Sequence, residues 1–154
     1  MRKLASVGGV AAAIVLLAGL VAGASTPRLR APERIHVIEH ATSDTVTDTG
    51  AAGDTGGDLL TFANRVYDPT DTYLAGRDQG DCIRIEPATG KWECRWLTWV
   101  GGGAIAVEGP FYDTADSVLA ITGGTGRFAN ARGEMILRSR AGGTEYDFIF
   151  LLEP

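Results

Sequence analysis

Histidine and cysteine are scarce in this chain, with two of each among 154 residues. His36 and His40 alone cannot build the ligand sets that hold zinc, and no thiolate cluster joins them, so a metal centre is not expected. The nucleophile elbow G-x-S-x-G is missing, and with it any signature of a Ser-His-Asp hydrolase. Positive charge is also short: 14 Lys and Arg stand against 19 Asp and Glu, for a net charge of −5. No basic stripe offsets that balance, which excludes nucleic acid as an expected partner. After residue 34 no segment sustains a helical repeat over the ten or so residues a helix requires.

One long apolar run is present, at the start. Arg2 and Lys3 precede an uncharged stretch from Leu4, and Ala22-Gly23-Ala24 supplies a small-x-small cleavage pattern with Ser25 as the mature start. Residues 1–24 therefore read as a signal peptide, and the protein as secreted or extracytoplasmic. The alternative is an N-terminal membrane anchor, because Leu4 to Ala24 is just long enough to span a bilayer. No cysteine lies there, which excludes lipid attachment at the cleavage site. Cleavage removes Arg2 and Lys3 and leaves a charge near −7. Residues 25–34, "STPRLRAPER", read as a linker, and the small, polar, glycine-rich 43–57 as a mobile loop.

Residues 35–154 form one domain of short runs rich in β-branched and aromatic residues, separated by Gly, Pro and Asp. Strands are expected near 35–42, 59–67, 81–86, 91–99, 104–109, 116–122, 132–139 and 144–152. "EPATGK" and "RAGGTE" supply Pro and Gly for hairpin turns. The pattern predicts an all-β domain, an eight-stranded antiparallel up-and-down β-barrel of lipocalin-like shape, because closure removes exposed edges. Such a barrel holds side chains or one small ligand.

Alternation assigns the faces. Ile35, Val37, Glu39 and Ala41 share one; Leu60, Phe62, Asn64 and Val66 share another; Tyr146, Phe148, Phe150 and Leu152 share a third. Glu39 and Asn64 are polar intruders on apolar faces, and a buried carboxylate must find a donor or raise its pKa. Glu39 is either a strand-end carboxylate paired at the barrel mouth, or a general base or charge stabiliser in the lumen. Asn64 either satisfies a neighbouring strand or fixes a water or a substrate oxygen. His36 and His40 point away from the Glu39 face. Trp92 and Trp96 share a face opposite Trp99, as wall packing or as a surface on which an apolar ligand stacks. Gly124, Gly126 and Ala129 spell G-x-G-x-x-A, but no helix follows as a dinucleotide loop requires, so the glycines are expected to form a tight strand connection. In an exported protein Cys82 and Cys94 suggest a disulfide between hairpin strands; the alternative is two free thiols, one of them facing a pocket.

The stretches "GDLLTFANRVYD" (57–68), the Cys82 strand and "VEGPFYDTADSVLAITGGTGRFANARGEMIL" (107–137) resemble the allene oxide cyclases, whose barrel is related in shape to that of the dirigent proteins. The resemblance extends to "VIEHA" (37–41) and to the aromatic closing strand. It implies an eight-stranded barrel around an elongated hydrophobic pocket, which closes a cyclopentenone ring from a fatty-acid epoxide without a cofactor. It puts Glu39 at the glutamate that promotes epoxide opening, Asn64 at an asparagine that helps hold a water, Cys82 at a pocket cysteine and Phe62 at a pocket aromatic. This chain departs from that pattern in four places. Phe111 replaces a tyrosine, Ala41 replaces an asparagine, a proline farther along that loop has no counterpart, and Cys94 is extra. A Cys82–Cys94 bridge is expected to take Cys82 out of the pocket. Alternation agrees, setting Cys82 with Arg84 and Glu86, opposite Ile83 and Ile85. Bacterial relatives of this barrel resemble cyclases that fold polyketides, some by cycloaddition.

These readings imply a cofactor-independent cyclase or isomerase acting on a long hydrophobic small molecule. Glu39 and Asn64 are its catalytic candidates, and Phe62, Cys82, Trp92, Phe111, Tyr146 and Phe148 its substrate-binding wall. The alternative is a secreted dirigent-like or lipocalin-like binding protein without catalysis. Assembly into a homo-oligomer is compatible with either.

Overall fold

The structure, a computed structural model, describes residues 32–154. The expected signal segment, its anchor alternative and most of the linker lie outside the described residues. No described helix is long and apolar enough to cross a membrane.

Ten strands form: β1 (Glu33–His40), β2 (Thr45–Thr47), β3 (Leu59–Phe62), β4 (Arg65–Tyr67), β5 (Leu74–Glu86), β6 (Lys91–Val100), β7 (Gly103–Tyr112), β8 (Ser117–Gly126), β9 (Gly133–Arg140) and β10 (Glu145–Leu152). β3 and β4 pair with successive stretches of β5 and act as one stave interrupted at Ala63-Asn64. The staves β1, β3/β4 and β5 to β10 then close through the β1–β10 and β5–β6 pairings into an eight-staved antiparallel up-and-down barrel. β2 lies outside this ring, paired with β3. Closure leaves almost no free edge, which is how a sheet of this length avoids edge-to-edge association.

The sequence expectation holds for the barrel and misses several boundaries. Glu33 and Arg34, expected in the linker, pair with Leu152 and Leu151 as the start of β1. β5 begins at Leu74 rather than near 81, because its inward positions are Gly76, Asp78 and Gly80, which carry no apolar alternation. Gly80 is required there, since a Cβ would sit 2.3 Å from Trp96 Cβ. β7 runs on through Pro110, where pairing with β8 has already stopped at Glu108, so the missing N–H breaks no ladder on that side. β8 extends through Gly124 to Gly126, so those glycines belong to a strand rather than to the connection. The turn itself follows at Arg127–Asn130, entered through the left-handed φ of 60° at Gly126. Segment 43–57, expected as a mobile loop, contains β2 and wraps around buried Asp58, whose carboxylate accepts from Thr49 N (3.1 Å) and Thr55 N (2.8 Å).

One buried apolar cluster fills the barrel. Toward Glu39 the barrel opens into a cavity, which Ile105, Ile121, Phe128, Met135 and Phe150 of that cluster do not border.

Candidate active site

β1 alternates Ile35, Val37 and Glu39 inward, and the last of these is 5% exposed. Glu39 lies opposite Val66 of β4 and Tyr146 of β10. Asn64 reaches it from the break between β3 and β4, donating from Nδ2 to Glu39 Oε1 at 2.7 Å. The second Nδ2 hydrogen goes to Asp44 Oδ1, also at 2.7 Å. Asn64 Oδ1 accepts from Thr42 N, Ser43 N and Ser43 Oγ at 2.9–3.0 Å. The amide is therefore fully committed, and it holds Glu39 and the chain that follows β1 in place.

Asp78 completes the cluster. Its Oδ1 accepts from Asn64 N at 3.0 Å, while its own N–H donates to Asn64 O at 3.0 Å. Its Oδ2, also buried, accepts no hydrogen bond from a described N–H or hydroxyl. Burial pushes the Glu39 carboxyl well above the usual range, Asp78 and Asp44 add like charge, and the Asn64 bond opposes them. Burial raises Asp78 as well. The Tyr146 hydroxyl is pushed up to about 12, first by burial and then by the charges of Glu39 and Asp44, and stays protonated.

The cavity beside this cluster is small, with about 30 Å³ free for a water-sized sphere, and it opens to solvent. Glu39, Asp44 and Tyr146 are its polar edge; Leu60, Phe62, Trp96, Phe111, Leu137 and Phe148 are its apolar wall. The aromatic rings brace one another, with centroids 5.9 Å apart for Phe62–Trp96, 5.5 Å for Trp96–Phe148 and 5.7 Å for Phe111–Tyr146.

Cys82 and Cys94 form a disulfide, and both line this cavity. The expectation that a bridge would remove Cys82 from the pocket is corrected: the two residues face each other across β5 and β6 on the inner surface. The alternation argument fails because Arg84 also points inward. Its guanidinium is neutralised by Asp54 and Asp113, both at 2.7 Å, and lies 4.0 Å from the centre of the Trp92 ring. Ile83 and Ile85, on the opposite face of that strand, are exposed.

Of the expected wall residues, Phe62, Cys82, Phe111, Tyr146 and Phe148 line the cavity and Trp92 does not. Trp92 is buried beneath Arg84 and donates from Nε1 to Asp113 at 2.9 Å. Trp96, two inward positions along the same strand, takes the wall place; the shared face in "WECRW" pointed to both. Asp44 and Asp78 were missed, the first inside an expected loop and the second before an expected strand start. On the outside of the mouth, ligand atoms of His40, Asp71 and Glu145 lie within 4.8 Å of one another. There His40 Nε2 is already bonded to Asp71 Oδ1 at 2.7 Å.

Among solved structures the chain is similar to a pyocyanin demethylase, with 25% identity over 77% of this chain and 99% of that one and a TM-score of 0.66. It is similar in fold to a pterocarpan synthase dirigent protein, with 18% identity, 82% and 97% coverage and a TM-score of 0.65. A third likeness is to the Diels-Alderase AbmU from Streptomyces koyangensis, with 17% identity, 81% and 69% coverage and a TM-score of 0.61. The allene oxide cyclase family model matches residues 39–153, from the buried glutamate to the end of the closing strand. A cyclase-type barrel with an acidic cluster at its mouth and an aromatic wall behind it is the architecture of this chain, which belongs to the allene oxide cyclase family.

Proposed function

We propose that this protein is a cofactor-independent cyclase or isomerase that folds and ring-closes a long hydrophobic substrate, fatty-acid epoxide-like or polyketide, inside the barrel. The observation that carries the reading is Glu39: a buried carboxyl on the polar edge of a cavity with an aromatic and aliphatic wall, clamped by Asn64. The cavity and its open mouth together hold a flexible chain in one folded conformation and bring the reacting carbons into a near-attack geometry. Glu39 supplies charge stabilisation or a proton at the substrate oxygen. Asn64 fixes where that carboxyl points. Phe62, Phe111, Tyr146 and Phe148 exclude water around the reacting chain.

The likeness to a demethylase of pyocyanin adds a planar aromatic ring to the substrates worth offering. The test is a substrate panel: an allene oxide generated in place, linear polyenes able to undergo cycloaddition, and pyocyanin. Products are followed by chiral chromatography for wild type and Glu39→Gln. Cyclised product with one handedness is expected, slowed about 10²-fold or more in the variant. The disulfide fits an oxidising compartment, and with it the second reading, a secreted dirigent-like or lipocalin-like binder. Tight binding without turnover, unaltered in Glu39→Gln, would establish that reading and sink the first.

A further inference from the structure

Glu39 and Asp78 come from different staves, β1 and β5, and both carboxyl groups are buried against the same residue, Asn64. Asn64 spans both, with Nδ2 on Glu39 Oε1 and N on Asp78 Oδ1. Each carboxyl thus has one oxygen supplied with a donor. Asp78 Oδ2 is buried and receives nothing from an N–H or hydroxyl. A buried acceptor left empty is costly, and two adjacent buried carboxylates without a cation are costlier still. The groups that act most strongly on the pair are Asn64 from the β3/β4 break and Asp44 from the segment after β1, neither of them a cation. Tyr146 of β10 faces the same corner with its hydroxyl protonated. One proton placed between the two carboxyls removes a charge and fills the empty acceptor at once.

We propose that Glu39 and Asp78 share a single proton at neutral pH, with Asp78 as the positioning residue that holds Glu39 as a neutral acid. The inference rests on the reading of Glu39 as the group that meets substrate in the cavity. It narrows the substrate to one presenting a basic oxygen, an epoxide or a carbonyl, to which Glu39 donates a hydrogen bond. A substrate that needs deprotonation at carbon does not fit an acid in this state. No proton is consumed: in an isomerisation, a proton lent to the oxygen returns to the pair when the ring has closed.

The test needs no substrate. Carboxyl-¹³C-labelled Glu and Asp are introduced and the folded protein is titrated by NMR. Wild type is expected to keep one proton on the pair at pH 7, with the two apparent midpoints belonging to the pair jointly. Asp78→Asn removes the like charge and offers Glu39 an amide donor, so the Glu39 midpoint should fall by at least one unit, about tenfold in proton affinity. Should that variant fail to fold, Glu39→Gln reports the other half, with the two joint midpoints of wild type replaced by a single Asp78 titration. Two ionised carboxyls in wild type at pH 7, or a Glu39 midpoint that does not move in Asp78→Asn, overturns the shared proton and leaves the cyclase reading standing. A shared proton in a protein that turns over nothing on the panel sinks the cyclase reading alone.

Discussion

Asn64 is the residue on which the acidic cluster depends. Its side chain and backbone serve Glu39, Asp44, Asp78, Thr42 and Ser43 together. Asn64→Ala is expected to cost roughly 2–4 kcal/mol, because it leaves buried partners empty rather than removing both sides of a bond. Urea unfolding followed by fluorescence measures it, and a loss below about 0.5 kcal/mol, the range of a neutral surface change, would contradict the role. Glu39 was legible in the sequence as a polar intruder on an apolar strand face. Asp78 was not, because it stands among glycines where no apolar alternation marks a strand.

At the scale of elements, β5 and β6 carry much of the cavity's construction. They bring Cys82 onto Cys94, pack Gly80 beneath Trp96 and set Arg84 over Trp92. Gly80→Ala must push β6 away or displace Trp96, since no atom fits 2.3 Å from another carbon. The expected result is a loss of about 1–3 kcal/mol, as in an overpacked core, with a blue- or red-shifted Trp emission from the moved ring. An unchanged melting curve and spectrum would mean that the strands separate without resistance. The eight staves and the turns at "EPATGK" and "RAGGTE" were readable from residue type, while the starts of β1 and β5 and the end of β8 were not. The depth of Arg84 was not, because its inward position depends on Asp54 and Asp113, which are 30 and 29 residues away in the chain.

For the whole molecule, the raised carboxyls couple folding to pH. A group whose folded pKa lies above its unfolded value binds more protons when folded, so stability falls as pH rises through that window. Glu39 and Asp78 both lie on this side. The stability this pair contributes is therefore expected to be fullest below the ordinary carboxylate range and to fall progressively as pH climbs from about 4 toward and past neutrality. Glu39→Gln should flatten this fall and raise stability at pH 8 by on the order of 1 kcal/mol, since a neutral amide replaces a group driven to ionise. Melting temperatures of both proteins across that pH range check the sign, and a wild type that gains stability from pH 5 to 8 would refute it. Such a gain in the variant, accompanied by lost turnover, is the usual exchange of stability for a strained functional group.

Alternation, turn residues and the missing helical period were enough to determine an antiparallel barrel, its closing strand and Glu39 as a candidate, because these follow from neighbours one or two residues apart. The tertiary structure decided which polar residues meet. Asp44, Asn64 and Asp78 reach Glu39 from three other places in the chain, and Cys82 stays on the cavity wall while bridged. These facts depend on stave tilt and register across the closed barrel, and on charges neutralised by partners far away in sequence.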